Sequence, residues 1–224
     1  MKVSEYIDYL VGGEVSKLAI SDVGDMSLNP SVAPTAIQLA NQAKLINYVN
    51  LANLELHKRF HIVHKSIELD LPSDGEEYAL PSNFLIPDHA YYTSDFEEVT
   101  IKDSRVKVVS GIDTAVTILL PESFLAVIKG TDSEARTQIT LEYVAAPAKA
   151  SNASVNLNIS EVYTEALLYY AAFKAHSSIS GDIKDENNTH FLRYESSAKR
   201  LVTDGMSGNN QIETNTKLTD NGFV

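Results

Sequence analysis

The chain has 224 residues, of which 44% are hydrophobic and 21% charged, a balance that excludes disorder throughout and suits one or two packed domains. It contains no cysteine, so disulfides, thiolate-ligated metals, iron–sulfur clusters and thiol nucleophiles are excluded and a reducing compartment is expected. Eighteen basic residues against 30 acidic ones give a net charge of -12, which opposes tight duplex binding because Lys and Arg must neutralise phosphates for non-specific affinity.

Glu5 and Asp8 interrupt the apolar stretch Met1 to Val11, unlike the clean apolar core of a signal peptide. No apolar run approaches the ~20 residues that cross a bilayer, so a soluble, non-secreted protein without a membrane partner is expected. Tyr6, Ile7, Leu10 and Val11 recur near helical spacing, and Gly12-Gly13 should interrupt or end that helix. Ser21 to Pro34, with Asp22, Gly24, Asp25, Asn29 and Pro30, reads as a connector.

From Thr35 to Phe60 there is no Gly or Pro, and Ala, Leu, Gln, Lys and Glu dominate, with Pro34 at the start; this should be the longest helix. Leu45, Val49, Ala52, Leu56 and Phe60 mark one apolar face and Leu39, Ile46 and Leu54 another, so the helix is expected to pack centrally.

Between His61 and Pro147 the period changes. Ile67, Leu69 and Leu71 alternate with Glu68 and Asp70 before the turn Pro72-Ser73-Asp74-Gly75. Further strands are predicted at Phe84 to Thr93, Glu98 to Lys102, Arg105 to Val109, Ala115 to Leu120 and Phe124 to Lys129. Ile139, Leu141 and Tyr143 alternate with Gln138, Thr140 and Glu142, predicting one buried and one wet face. Short strands at this spacing indicate an antiparallel sandwich or barrel.

After a small-polar connector, Ser160 can cap a helix that buries Val162, Ala166, Tyr169, Phe173 and Ile179 and ends at Gly181. Beyond the polar turn 182–188, Phe191, Tyr194, Ala198, Leu201 and Val202 mark a second amphipathic helix, closed by Gly205 in a left-handed cap. The apolar stripes at both ends of the chain find their nearest partners in each other. The expected fold class is α+β: residues 1–60 supply the N-terminal helices of a bundle, 61–147 an inserted antiparallel β-sandwich or barrel module, 148–203 a helical hairpin completing the bundle, and 204–224 an extended C-terminal tail. The tail cannot bury enough apolar area to fold alone. It is expected to dock on a partner through Leu218, Phe223 and Val224, each worth roughly 1.5–3 kcal/mol when buried.

No catalytic constellation is complete. His57, His61 and His64 have the four- and three-residue spacing of metal-binding imidazoles on one helical face, but the metalloprotease Glu is missing and Lys58 and Arg59 intervene. Structural histidines are the expected reading, with no metal and no cofactor. Asp74, Glu76 and Glu77, and Asp95, Glu97 and Glu98, sit in turn-rich contexts that favour solvated loops over carboxylate pairs or calcium sites. Gly12-Gly13 lacks the spacing of a phosphate loop, and there is no Gly-x-Ser-x-Gly elbow. Tyr91-Tyr92 and Tyr169-Tyr170 fit core and interface packing better than base or sugar stacking.

Three stretches resemble a known family. They are Leu45-Ile46-Asn47-Tyr48-Val49-Asn50-Leu51-Ala52-Asn53 in the long helix; Tyr78-Ala79-Leu80-Pro81-Ser82-Asn83-Phe84 after the alternating strand; and Leu141 to Pro147 followed by Glu165 to Ala175 and the Phe191 to Leu201 helix. Their order and spacing resemble the head-to-tail adaptor, or connector, proteins of short-tailed bacteriophages, the family of tail tubular protein A. The resemblance implies a structural virion protein and not an enzyme: a cyclic homo-oligomer, typically a dodecamer, at the neck between capsid and tail. It would bind the portal protein, the tail nozzle protein and tail fibres, and pass DNA during genome ejection without binding it specifically, after assembly in the host cytoplasm. The alternative is a carbohydrate- or receptor-binding β-sandwich accessory module with Tyr91 and Tyr92 as its platform.

Overall fold

A computed structural model describes residues 1–27, 32–70, 77–103, 115–119, 124–128, 137–180 and 189–206. The fold is α+β, with four α-helices and two sheets among the described residues. The chain divides into two compact units, Met1–Ile62 with Pro147–Val224, and Val63–Ala146. Expectations for Leu71, Asp74, Glu76, the Arg105 to Val109 strand, Gly181 and the turn 182–188, and for the side chains of Glu77 and Ile179, fall outside the described residues.

Helix α1, Val3–Gly12, buries Val3, Tyr6, Ile7 and Leu10. Its free N–H groups are met from a distant part of the chain: Val3 N donates to Val155 O at 2.9 Å and Ser4 N to Ala153 O at 2.8 Å. Such partners matter because the first turn of a helix has no internal acceptors.

Helix α2, Ala36–Phe60, opens with a capping box in which Gln38 N donates to Thr35 Oγ1 at 3.2 Å and Thr35 N to Gln38 Oε1 at 2.9 Å. Leu45, Val49, Ala52, Leu56 and Phe60 are all buried, as their spacing predicts. The second apolar face does not pack as expected: Leu39 is 51% exposed, and Ile46 and Leu54 are only half-buried. One reason is that amide side chains beside the core stripe grip irregular backbone. Asn41 Nδ2 donates to Asp22 O at 2.9 Å, Gln42 Nε2 to Val23 O at 2.7 Å and Asn50 Nδ2 to Ala150 O at 2.9 Å, while Ala150 N returns a bond to Asn50 Oδ1 at 2.8 Å.

Ser160 is the N-cap of a short 3₁₀ turn, Glu161–Tyr163, but makes no side-chain capping bond. Helix α3, Thr164–Ser180, follows. It buries Ala166, Leu167, Ala171, Ala172, Phe173 and Ala175, and Tyr169 is half-buried. Val162, expected inside, lies in the 3₁₀ turn and is 47% exposed, because the tighter turn directs Tyr163 inward instead.

Helix α4, Thr189–Thr203, buries Tyr194, Ser197, Ala198 and Leu201. Val202 is exposed, since Leu201 already occupies the centre of the buried stripe. The helix closes in a Schellman motif: Gly205 has φ 77°, Gly205 N donates to Val202 O at 3.1 Å and Met206 N to Leu201 O at 2.9 Å. Tyr163 Oη then donates to Met206 O at 2.7 Å, tying this end to the start of α3.

In the second unit, strands β1 (His64–Asp70), β7 (Gln138–Ala145) and β3 (Phe84–Tyr92) form an antiparallel sheet in the order β1-β7-β3. A second sheet has the order β2-β6-β5-β4, from Glu77–Ala79, Phe124–Ile128, Ala115–Leu119 and Thr100–Asp103. The pair β4–β5 is parallel, a departure from the all-antiparallel expectation. Register places Leu69 opposite Ile139 and Ile139 opposite Tyr92, a buried row that belongs with Leu80, Ala90, Val99 and Leu141 to one cluster.

The wet face predicted for β7 is partly covered. Thr140 is 6% exposed, with its hydroxyl 2.9 Å from that of Thr93, because β7 is the central strand of its sheet.

The stripe on α2 supplies a direct test of this packing. Leu56→Ala, at a site with no exposure, should cost about 2–5 kcal/mol in denaturant unfolding, whereas Val162→Ala should stay within about 0.5 kcal/mol. Similar losses from the two variants would refute the assignment.

Candidate functional site

The histidine row is broken up by the fold. Helix α2 ends at Phe60, and His61 takes the left-handed conformation with φ 48°, so the spacing to His64 is no longer helical. His57 is fully buried, and its Nδ1 lies 2.8 Å from Asn53 O. Burial pushes its imidazole below the usual range, against the opposing effect of that backbone bond. His64 begins β1, with Nδ1 2.9 Å from Asp88 Oδ2. Among the described residues, no three His, Cys, Asp or Glu side chains converge as a metal site would require.

Tyr91 and Tyr92 fall on opposite faces of β3, as adjacent strand residues must. Tyr92 is buried in the sheet cluster, while Tyr91 donates to Glu142 Oε1 at 3.1 Å and stacks obliquely on exposed Phe96. They do not form the exposed pair that a sugar platform needs. Tyr169 and Tyr170 are half-buried among α3 and α4 side chains. Asp95, Glu97 and Glu98 are exposed in the segment after β3. Leu218, Phe223 and Val224 lie outside the described residues.

The polar structure of the helical unit is instead concentrated where α3 and α4 meet the segment after α1. Glu14 accepts from Arg193 Nη1 at 3.1 and 3.2 Å, and its Oε2 lies 2.9 Å from His190 Nδ1. His176 Nε2 lies 2.9 Å from Glu14 O, and the His176 and His190 rings stack with centroids 4.4 Å apart. Burial pushes the His190 imidazole down and neighbouring His176 adds to that effect; together they outweigh the attraction of Glu14.

A second link joins α2 to α4. Arg59 binds both oxygens of Glu195, at 2.5 and 3.0 Å, and its guanidinium lies 5.1 Å from the Tyr194 ring centroid. The hydrogen bonds from Arg59 hold the Glu195 carboxyl below its ordinary range. Sequence spacing gives no sign of either cluster, because Glu14 and Arg193 are 179 positions apart and Arg59 and Glu195 are 136 apart.

The outer surface of this unit carries the features suited to contact with other proteins. An open groove of about 710 Å³ is lined by Met1, Lys2, Glu5, Asp8, Tyr9, Asn156 and Glu161. A smaller one of about 350 Å³ runs between α2 residues, including Leu39, Ala43 and Ile46, and the segment Ala150 to Ala153. Exposed apolar side chains on the helices include Tyr9, Ile37, Leu39, Leu51 and Leu192. Among the described residues, no helix is long and apolar enough to cross a membrane.

Residues 17–214 match the model of a family described as SU10 adaptor protein. The family is one of structural phage adaptors and not an enzyme family. No curated protein matches the chain.

The Glu14 cluster implies a pH dependence whose sign follows from the depressed His190. Its unfolded form binds a proton near pH 6.5, where the folded form resists it, so folding is favoured at neutral pH and weakened as pH falls through that value. Buried His57 acts in the same direction. Urea midpoints should fall between pH 7.5 and 5.5, and His190→Asn should flatten the dependence. An unchanged slope in that variant would remove His190 from the explanation.

Proposed function

We propose that this chain, which belongs to the SU10 adaptor protein family, forms a ring at the joint between the phage head and its tail. The observation that carries the reading is the family match over residues 17–214, which takes in the inserted β unit and the helical unit from residue 17 onward, without α1. In the proposed ring, the protein sits beneath the portal protein, engages the tail nozzle protein and the tail fibres, and belongs to the virion neck. Its partners include its own copies, in a cyclic oligomer that is a dodecamer in the resemblance described above.

The physical properties support a conduit. A chain of net charge -12 presents a surface that repels phosphate, so DNA passes without adhering. Paired arginines at Glu14, Glu165 and Glu195 brace the helical unit instead of offering a basic groove. Electron microscopy of the full chain with purified portal rings tests the assembly. Added ring density on one end of the portal is expected, and its absence would overturn the reading. A gel shift should show little duplex affinity at physiological salt; tight, salt-sensitive binding would point to a nucleic-acid-binding role.

The tail belongs to the same proposal. The tail expected over 204–224 starts later, because 204–206 form the Schellman cap that ends α4; in the remaining 207–224, Leu218, Phe223 and Val224 are the anchors through which it docks on the portal or a neighbouring subunit. Deleting 207–224 should leave the circular dichroism spectrum unchanged and weaken co-sedimentation with portal rings. Undiminished co-sedimentation would dismiss the docking role.

A further inference from the structure

Helix α2 carries more cations than carboxylates in an acidic protein. Its 25 residues carry Lys44, Lys58 and Arg59 but only one carboxylate, Glu55, and Arg59 is already bound to Glu195. The face turned away from the core bears Ile37, Ala40, Lys44, Asn47, Leu51 and Lys58, all exposed. Ile37 is 71% exposed and Leu51 46%. Along this face apolar Ile37, Ala40 and Leu51 are interspersed with Lys44, Asn47 and Lys58, and half-buried Glu55 borders it, on a helix that extends about 37 Å at 1.5 Å per residue.

The outward face of α1 has the opposite character. Glu5, Asp8 and Tyr9 are exposed there, and with Glu161 they line the open groove of about 710 Å³, where the three carboxylates outnumber the one cationic side chain, Lys2. Partial burial, then the nearby charges of Glu5 and Asp25, push the Asp8 carboxyl above its ordinary range. Bringing a cation to this place relieves that crowding of negative charge. Tyr9, 60% exposed, offers a ring of the kind that anchors interfaces. No α2 residue lines the groove, so the two patches are separate surfaces of one compact unit.

We infer that the α2 outer face of one copy docks against the Glu5–Asp8–Tyr9–Glu161 groove of the next, making the head-to-tail contact between subunits. Complementary charge selects this pairing: α2 against α2 sets lysine against lysine, and groove against groove sets carboxylate against carboxylate. A contact between two different patches propagates in one direction around the assembly and closes where the rotation allows. The inference rests on the ring reading and assigns surfaces to it.

The test uses full-length chains and portal rings. Lys44→Glu with Lys58→Glu should weaken ring assembly about tenfold or more, as should Asp8→Lys with Glu161→Lys, since like charges then face each other. Combining all four substitutions in one chain reverses both patches and should restore assembly. Circular dichroism checks that each variant is folded.

Because the chain has no cysteine, a variant with Tyr9→Cys and Leu51→Cys can be joined by a short bifunctional maleimide. A ladder of multimers is expected from the double variant and no ladder from either single one. Rings that form without a ladder, or folded charge variants that assemble normally, would overturn the placement while leaving the ring intact. Absence of rings from the unsubstituted chain would overturn the ring reading itself.

Discussion

The helical unit depends on polar backbone groups in its irregular segments finding partners as they pack against α2. A connector that leaves water with unpaired carbonyls costs free energy comparable to a lost hydrogen bond for each one. Asn41, Gln42 and Asn50 meet this requirement with amide side chains, which both donate and accept. Asn41 is itself only 6% exposed, so its bonds to Ala19 O and Asp22 O also satisfy the amide. The same helix therefore has two tasks on adjacent faces. Its leucine, valine and phenylalanine stripe fills the core, and its amides fasten the segments that run beside it.

Charge is partitioned in a related way. Arg59, Arg193 and Arg200 each engage a glutamate within the helical unit. The planar guanidinium can hold two carboxylate oxygens at once, as Arg59 does with Glu195. Exposed pairs of this kind contribute at most about 1 kcal/mol, so Arg200 with Glu165 orients more than it stabilises. Lys44 and Lys58, by contrast, stay on the exposed side of α2. Internal order and external contact thus draw on different basic side chains.

Particular residues show what the sequence could reveal. Leu45, Val49, Ala52, Leu56 and Phe60 were legible because a three-and-four spacing repeated over 16 residues leaves only one helical face. Gly205 was legible because a left-handed cap strongly favours glycine. Val162 and Val202 were misplaced, since periodicity tells that a stripe exists but not where a 3₁₀ turn shifts it or where its centre lies. Thr140 was misjudged because alternation does not reveal whether a strand is central or at an edge. The Glu14–His176–His190–Arg193 cluster left no local trace: its members come from three elements that meet only after folding. The family match over residues 17–214 shows a phage adaptor, and the likeness to tail tubular protein A, which rests on the order of several short motifs, goes beyond that match.

The insertion of one unit within the other places a physical demand on folding. Helices α1 and α2 precede the β unit and α3 and α4 follow it, so the helical core forms only when segments separated by roughly 80 residues meet. Closing a flexible loop of that length costs about 4 kcal/mol from the logarithmic dependence alone. The β unit lowers that cost by joining its own ends. Ala145 N donates to Val63 O at 2.8 Å, which ties the end of the unit to its beginning. Once β1 pairs with β7 from His64 opposite Val144 to Asp70 opposite Gln138, the long loop becomes a short one. A second closure acts from the other side, where Leu157 N donates to Met1 O at 3.1 Å and Val3 N to Val155 O at 2.9 Å. The β unit is thus closed at its own ends and the helical unit at the chain start, so each of the two cores forms from its own bonds.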